Sequence, residues 1–200
     1  MIALSTVLAY LIGGLPFGYW FVRLTSGKDI RTLGSGNIGA TNVHRTQGGK
    51  AGAIVLLLDI FKGFAAVLIA AWLTRSDARA LALAAVFVMI GHCYPVFLRF
   101  KGGKAVACFI GAFLYIAPLA LAVVLFLFIA VVALSKYISL GSIVGAALFP
   151  LFFWIIYRPP AALFTASIFC ALLIIYRHKG NIERLWSGTE NVFSLRGRRA

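Results

Sequence analysis

Long apolar runs separated by shorter polar segments extend through the whole chain. The runs near 3–23, 51–73 and 80–98 each supply the roughly 20 apolar residues that a helix needs to cross a membrane. Polar, glycine-containing segments follow the first and the third of these runs. The pattern therefore predicts three spanning helices joined in part by loops of unusual composition.

Two further apolar regions are divided by proline. The run over 105–134 is too long for one untilted helix and carries Pro118 at its middle, where the missing amide donor breaks or kinks a helix. The runs near 141–157 and 161–176 are separated by the Arg-Pro-Pro turn at 158–160. The sequence thus predicts an all-α integral membrane protein with about seven transmembrane helices.

The composition indicates that lipid is the main solvent of this chain. Hydrophobic residues make up 62% of its 200 residues, charged residues make up 12%, and the mean hydropathy is +0.98. The net charge of +14 would favour nucleic acid binding if the basic residues covered a soluble face. Their positions therefore decide how the charge is interpreted.

The basic residues are concentrated in alternate polar segments. Those segments are 23–50, 99–104, 135–140 and the tail from 177, which includes Arg196, Arg198 and Arg199. They hold fifteen of the nineteen Lys and Arg residues, whereas the intervening segments hold three and Lys62 lies within a helix. The positive-inside rule places the basic set in the cytoplasm, with the amino terminus outside and the carboxyl terminus inside. Topology accounts for most of the charge, and we expect no nucleic acid partner.

Few polar residues interrupt the apolar runs. Asp59 and Lys62 are three positions apart on one helix face, which predicts a buried ion pair, with a catalytic Asp59 as the alternative. Cys93, Cys108 and Cys170 are odd in number and lack the spacing of a metal or redox site. We expect packed, reduced thiols and no metal site.

Three helices of this topology begin at the cytoplasmic side. Their starts are preceded or opened by small and polar residues, namely Gly48, Gly49 and Lys50, then Gly102, Gly103 and Lys104, then Ser139, Gly141 and Ser142. Unpaired amides and the helix dipole favour anions, above all phosphate, at such starts. The alternative is that these residues only cap and turn the helices.

The polar segment at 35–52 reads SGNIGATNVHRTQGGKAG, which is rich in glycine, hydroxyl and amide groups. Glycine lets the backbone approach a ligand, Asn37 and Asn42 can orient polar atoms, and Arg45 offers a guanidinium fork for phosphate. A topological linker needs none of these groups. We interpret this segment as a substrate loop.

The segment at 91–107 reads GHCYPVFLRFKGGKAVA. Its Gly-Gly-Lys is not a Walker A loop, because Ala105 follows the lysine and the earlier glycine is absent. His92, near a helix end, is interpreted as structural, with an acid or base role as the alternative. Lys104 is the stronger functional candidate.

The segment at 177–193 reads RHKGNIERLWSGTENVF and follows the last apolar run. It contains His178, Asn181 and Glu190 among basic residues. The residues leave two interpretations of this segment open. It can be a solvated amphipathic tail, or its basic residues can anchor anionic lipid head groups through Arg177, Lys179 and Arg184.

Together these three segments resemble the acyl-phosphate glycerol-3-phosphate acyltransferases of bacteria, the PlsY family. The resemblance rests on SGNIGATN with Arg45, on GH-x-x-P-x-FL-x-FKGGK-x-VA, and on RH-x-x-N followed by SGTE, and it covers nearly the whole chain. It implies one transmembrane acyltransferase domain over 1–200. The implied reaction moves a fatty acyl group from acyl phosphate to the 1-hydroxyl of sn-glycerol 3-phosphate, giving lysophosphatidic acid and phosphate as the first step of phospholipid synthesis.

The resemblance also implies a site and its surroundings. The residues expected to hold phosphate or to take part in catalysis are Ser35, Arg45, Lys104, His178 and Asn181. The residues expected to bind substrate or shape the pocket are Asn37, Thr41, Asn42, Gly102, Gly103, Lys104 and Ser142. A monomer in the bacterial cytoplasmic membrane is implied, with no cofactor, with membrane lipids around it and with a peripheral acyl-phosphate synthase as partner.

Two questions stay open from the residues. The attacking hydroxyl can lose its proton to a substrate phosphate or to His178 as general base. The alternative function is an organic-phosphate or anion transporter, which seven helices and basic loops would also suit. The polar motifs cluster at one surface rather than near the midplane, which favours the enzyme.

Overall fold

The computed structural model describes residues 1–193, so Arg196, Arg198 and Arg199 of the basic tail lie outside the described residues. The regular secondary structure of the described residues consists of ten α-helices and two short 3₁₀ turns. The helices are α1 Ile2–Gly14, α2 Phe17–Ser26, α3 Ala40–Gln47, α4 Gly49–Thr74, α5 Ala78–Cys93, α6 Val106–Ile116, α7 Pro118–Ser135, α8 Ile138–Tyr157, α9 Ala161–Arg177 and α10 Lys179–Trp186.

Five segments of the described chain are long and apolar enough to cross a membrane. They are Ile2–Ser26, Gly49–Thr74, Ala78–Leu98, Pro118–Ser135 and Ile138–Tyr157. A sixth is obtained if α9 and α10, which meet at 55°, count as one segment. The shorter apolar helix α6 has 11 residues and spans roughly 16 Å, about half the hydrocarbon thickness. The all-helical membrane architecture is confirmed, whereas the number seven stays a prediction.

Prolines determine where the apolar runs bend. Helix α6 ends at Ile116 and α7 begins at Pro118, as the sequence predicts. The first run, predicted as one helix, is instead divided into α1 and α2 at Pro16. The break leaves the carbonyl of Leu15 outside the helical hydrogen-bond ladder, and Lys62 Nζ donates to it at 2.8 Å. Backbone polar groups in a membrane need such partners.

Glycine allows two helix pairs to pack with their backbones in contact. A Cβ atom on Gly13 or Gly91 would lie 2.0 Å or 2.1 Å from a carbonyl oxygen across the α1–α5 interface. A Cβ atom on Gly63 or Gly111 would lie 2.3 Å or 1.9 Å from a carbonyl oxygen across the α4–α6 interface. Small residues at interfaces are typical of membrane helices, where close packing replaces the hydrophobic effect. These contacts fix the helices on which the polar loops are mounted.

The basic polar segments meet at one end of the helix bundle. The N–H of Phe193 donates to the carbonyl of Lys136 at 2.8 Å, and the Phe193 ring packs against His44 with ring centroids 5.4 Å apart. At the opposite end, the N–H of Leu119 donates to the hydroxyl of Tyr157 at 3.1 Å. The structure thus brings together the loops that the charge pattern grouped.

Candidate active site

The loop between α2 and α3 is organised around the buried side chain of Asn42. Its Oδ1 accepts a hydrogen bond from the N–H of Ser35 at 2.9 Å. Its Nδ2 donates to the carbonyls of Leu33 and Asn37, both at 2.9 Å. One amide thus satisfies three backbone groups and shapes the loop. The predicted pocket-shaping role of Asn42 has this geometric basis, without a direct contact to the cavity described below.

Gly34 is required in this loop for two reasons. Its φ is +56°, a left-handed conformation that glycine adopts at little cost. A Cβ atom at this position would also lie 2.3 Å from Asn42 Oδ1. The glycine therefore lets the backbone pass close to the asparagine that organises the loop.

The loop between α5 and α6 carries Lys104 on a closely packed pair of glycines. The N–H groups of Gly102 and Gly103 donate to the carbonyls of Cys93 and His92 at 3.2 Å and 3.0 Å. A Cβ atom on Gly102 would lie 2.2 Å from the His92 carbonyl oxygen, and one on Gly103 would lie 2.1 Å from His92 Nε2. Because these amides bond within the protein, the geometry gives the glycines a role in supporting Lys104. Their direct contact with glycerol phosphate stays a prediction.

Lys104 heads a chain of polar contacts that reaches the carboxyl-terminal segment. Its Nζ donates to Asn181 Oδ1. The amide Nδ2 of Asn181 donates to Glu190 Oε1 at 2.8 Å, and Arg184 Nε donates to Glu190 Oε2 at 2.9 Å. The side chain of Glu190 is only 6% exposed, so its charge is held between two donors rather than exposed to water. The second and third sequence motifs are therefore joined physically.

Burial lowers the pKa of Lys104 to about 8, because a partly desolvated ammonium loses favourable hydration. The positive charges of Arg184, Arg45 and Arg177 also lower this pKa, whereas Glu190 opposes them. Lys104 is thus a cation at neutral pH that gains strongly from an anionic ligand. This behaviour is typical of a phosphate-binding lysine.

His178 lies just beyond the end of α9, at the break before α10. Its Nδ1 is 2.8 Å from the carbonyl oxygen of Ile174, which can only accept, so Nδ1 carries the proton. Burial, followed by the charge of Lys104, lowers the pKa of His178 to about 4. The imidazole is therefore neutral at physiological pH, with Nε2 as its acceptor nitrogen. A group with this pKa is a weak base.

A polar cavity of about 280 Å³ lies between the three motifs. Its described lining comprises Ser35, Asn37, Lys104, Tyr176, Arg177, Lys179, Gly180, Asn181 and Arg184. Four of these nine residues are cationic, and no carboxylate is among them. The cavity is therefore suited to an anionic ligand such as a phosphate ester.

An apolar groove begins close to this cavity. Its lining comprises Val106, Phe109, Ile110, Leu121, Val124, Leu125, Phe128, Gly141, Ser142, Gly145, Ala146 and Ile174. Val106 is two positions from Lys104, and Ile174 is two positions before Tyr176, and both Lys104 and Tyr176 line the cavity. The same helix ends thus border a cationic cavity and an apolar groove, which is the arrangement that an amphiphilic ligand requires.

The structure brings together only part of the predicted site. Ser35, Asn37, Lys104 and Asn181 line the cavity directly. Of the three predicted helix starts, only that of α6 borders it, through Lys104. Ser142 lies instead in the apolar groove, where its hydroxyl donates to the carbonyl of Ile138 at 2.9 Å. Its predicted contact with substrate stays a prediction.

Arg45 and Thr41 lie on α3 and are not among the described residues that line the cavity. Partial burial lowers the pKa of Arg45, and the charges of Glu190 and Arg184 act on its guanidinium. Arg45 thus belongs to the same electrostatic cluster as Lys104. Thr41 is exposed. Substrate contacts of Arg45 and Thr41 stay predictions.

The cavity is lined by Arg177, Lys179 and Arg184, for which anionic lipid head groups were one of the alternative partners predicted from the sequence. A signal for this was present, because Arg177, Asn181 and Arg184 are spaced at four and three residues, which favours one helix face. The spacing alone did not reveal what that face would meet.

The predicted pair of Asp59 and Lys62 is confirmed, with Nζ and Oδ1 2.7 Å apart and both residues 2% exposed. The structure adds His92, whose Nδ1 is 3.8 Å from Asp59 Oδ1. Asp59, His92 and Cys108 also place possible metal-ligating atoms within 4.8 Å of one another, a grouping that sequence spacing did not show. The Lys62 ammonium already supplies a positive charge beside the carboxylate. All three cysteines are buried and unpaired, as predicted.

The fold and the site together define a polytopic membrane protein with an anion-binding cavity beside an apolar groove. The family described as glycerol-3-phosphate acyltransferase matches residues 3–188 of the chain. The glycerol-3-phosphate acyltransferase of Syntrophotalea carbinolica is 48% identical over 92% of this chain and 94% of its own length. The glycerol-3-phosphate acyltransferase of Geobacter sulfurreducens is 47% identical over 94% of this chain and 95% of its own length. This chain belongs to the glycerol-3-phosphate acyltransferase family, and the resemblance inferred from its motifs is confirmed.

Solved structures support the same conclusion. The crystal structure of PlsY, an integral membrane glycerol 3-phosphate acyltransferase, in its glycerol 3-phosphate form has a TM-score of 0.91 and 37% identity, covering 96% of both chains. The lysophosphatidic acid form has a TM-score of 0.88 and 35% identity, covering 97% of this chain and 96% of the other. The family match and the fold favour the acyltransferase over the transporter interpretation.

Proposed function

We propose that this chain transfers a fatty acyl group from acyl phosphate to the 1-hydroxyl of sn-glycerol 3-phosphate. The observation that carries the proposal is the cationic cavity around Lys104 that adjoins the apolar groove at Val106 and Ile174. The cavity suits the phosphate groups of both substrates, and the apolar groove, with a volume of about 50 Å³, suits the first carbons of the acyl chain. The family relationship supplies the class of reaction.

The chemistry needs no protein nucleophile. Acyl phosphate is an activated mixed anhydride, so the substrate hydroxyl can attack the acyl carbon directly. The new ester bond forms as the bond between that carbon and the phosphate oxygen breaks, and the hydroxyl proton leaves with phosphate. Lys104 stabilises the phosphate charge, and Ser35 and Asn181 help to orient the groups around it.

Substrate phosphate serves as the base in this proposal. Nδ1 of His178 is hydrogen-bonded to the carbonyl of Ile174, and the pKa of His178 is lowered. Both features support a positioning role for that imidazole rather than proton abstraction. Ser142, in the groove, contributes to the acyl-chain site instead of the phosphate site.

The decisive experiment supplies purified protein with acyl phosphate and glycerol 3-phosphate and measures phosphate release together with lysophosphatidic acid. We expect stoichiometric products from the wild type and a loss of about a hundredfold or more in kcat/KM for Lys104→Ala, which removes a half-buried charge from the phosphate. The exposed neighbour substitution Lys101→Ala is the matched control and should retain activity. Absence of product from wild-type protein would refute the acyltransferase proposal. Equal rates with acyl-CoA and with acyl phosphate would refute the assignment of acyl phosphate as the donor.

The proposal places the cavity on the cytoplasmic side of the bacterial cytoplasmic membrane, where the basic loops belong. Lys101 lies at the cavity end of the bundle and Arg79 near the opposite end. We expect an impermeant thiol reagent to label Arg79→Cys but not Lys101→Cys in intact cells. The reverse labelling would invert the topology. A monomeric state and supply of acyl phosphate by a peripheral synthase complete the proposal.

A further inference from the structure

Arg177, the last residue of α9, is bonded to the backbone that precedes Lys104. Its Nε donates to the carbonyl of Gly103 and its Nη2 to the carbonyl of Gly102, both at 3.0 Å. A planar guanidinium can bind two neighbouring carbonyls at once, whereas the point-like ammonium of lysine cannot reproduce that fork. Two of the donors of Arg177 are therefore used on protein rather than on a ligand.

The glycine pair is held from both sides. Its N–H groups bond to the carbonyls of Cys93 and His92 on α5, and its carbonyls bond to Arg177 on α9. All four backbone polar groups of Gly102 and Gly103 are thus satisfied by two different helices. Such complete satisfaction restricts the backbone to one position.

Arg177 is itself held in place by an aromatic ring. The carbon Cζ of its guanidinium lies 5.1 Å from the ring centroid of Tyr94, a cation–π distance. The carbonyl of Tyr94 in turn accepts a hydrogen bond from the hydroxyl of Tyr10 at 2.9 Å. The arginine is therefore a fixed support.

The residues around Lys104 need such a support. Ala105, directly after the lysine, is buried and has a φ of +61°, a left-handed conformation that costs a non-glycine residue about 1 kcal/mol. Asn181, four positions after Arg177, binds the Lys104 ammonium. The segment from Arg177 to Asn181 thus holds three successive residues, two by their backbone and the third by its side chain.

We propose that Arg177 is a positioning residue for Lys104: its fork on Gly102 and Gly103 sets where the lysine ammonium meets substrate phosphate. This inference rests on the proposed function, in which Lys104 binds the phosphate of glycerol 3-phosphate. Arg177 acts through the loop, although its side chain also borders the cavity.

The first test is Arg177→Lys, which keeps the charge and removes the fork. We expect the KM for glycerol 3-phosphate to rise about tenfold to a hundredfold with a smaller change in kcat, the cost of a misplaced binding group. Arg79→Lys, an exposed arginine at the opposite end, is the matched control and should match wild type. A wild-type KM in Arg177→Lys would overturn the inference, because charge alone would then be sufficient.

The second test is a double-mutant cycle with Lys104→Ala. If Arg177 acts through the lysine, adding Arg177→Lys to Lys104→Ala should change kcat/KM by no more than about twofold. Losses that multiply would overturn the inference and assign Arg177 an independent contact with substrate. A wild-type KM in Lys104→Ala would instead refute the proposed role of the lysine, which separates the two failures.

Folding is checked by the thermal unfolding midpoint of each variant in detergent. Should Arg177→Lys not fold, Arg177→Gln, which retains an N–H donor for one carbonyl, enters the same cycle. Because Arg177→Gln also removes the charge, the double-mutant cycle decides for that variant: a change of no more than about twofold on Lys104→Ala supports the inference, and losses that multiply overturn it.

Discussion

Lys104 Nζ donates a hydrogen bond to Asn181 Oδ1, joining two residues that are 77 positions apart in the chain. The bond connects the loop before α6 to the helix after α9, and Glu190 extends it into the carboxyl-terminal segment. The proposed phosphate site is therefore an assembly of three chain segments. Its properties depend on all of them.

The pH dependence of activity should report the ionisation of Lys104. Because the pKa of this lysine is lowered to about 8, raising the pH above that value removes its charge and weakens phosphate binding. We expect kcat/KM for glycerol 3-phosphate to fall toward about tenfold per pH unit on the alkaline side. The second ionisation of a phosphate ester, near pH 6, lies below this window.

Lys104→Arg separates the lysine from other titrating groups, since arginine stays charged throughout the accessible range. We expect the alkaline limb of the kcat/KM profile of this variant to move to higher pH by at least about one unit, whatever the absolute rate of the variant. An alkaline limb at the same pH in both proteins would assign the titration to another group.

Substituting His178 should distinguish the two candidate bases. If substrate phosphate takes the proton, His178→Gln should retain kcat within about tenfold and keep the acidic limb of its pH profile, because general base catalysis is worth about a hundredfold or more. The assay is steady-state kcat across pH. A hundredfold fall in kcat together with loss of the acidic limb would make His178 the base.

The buried ion pair of Asp59 and Lys62 should matter for stability. Removing one partner leaves an uncompensated buried charge, so Asp59→Leu and Lys62→Met are each expected to cost about 3–5 kcal/mol. The double variant Asp59→Leu/Lys62→Met should recover most of this loss. Thermal unfolding in detergent measures all three, and additive losses in the double variant would show that the pair does not act as a unit.

Filling the apolar groove should change the preferred acyl chain. Gly145 lines the groove on α8, and a Cβ atom there would lie 3.2 Å from a methyl group of Val124. We expect Gly145→Leu to lower kcat/KM for long acyl phosphates about tenfold to a hundredfold relative to short ones. Ala147→Leu, exposed on the same helix, is the matched control. An unchanged chain-length profile in Gly145→Leu would place the acyl chain elsewhere.

Much of the architecture could be predicted because it depends on local sequence. Runs of about 20 apolar residues form spanning helices in lipid whatever their neighbours, and Pro118 interrupts its helix because it lacks an amide hydrogen. The grouping of basic loops at one end also follows from the alternation of segments. The pairing of Asp59 with Lys62 needed only the period of one helix.

Other features could not be predicted because they depend on contacts between distant segments. The break at Pro16 is compatible with the fold because Lys62, 47 positions from Leu15, donates a hydrogen bond to the Leu15 carbonyl. Ser142 lines an apolar groove because of how α8 packs on its neighbours. No local pattern encodes either contact.

The sequence by itself determined the membrane class, the positions of most helices, the segregation of charge and the family to which the motifs point. Only the tertiary structure decided which of the motif residues meet, which line the cavity, and that Arg177 holds the two glycines before Lys104. The reason is physical. Helix formation is set by neighbouring residues and the surrounding lipid, whereas a site is set by side chains whose helices must first pack.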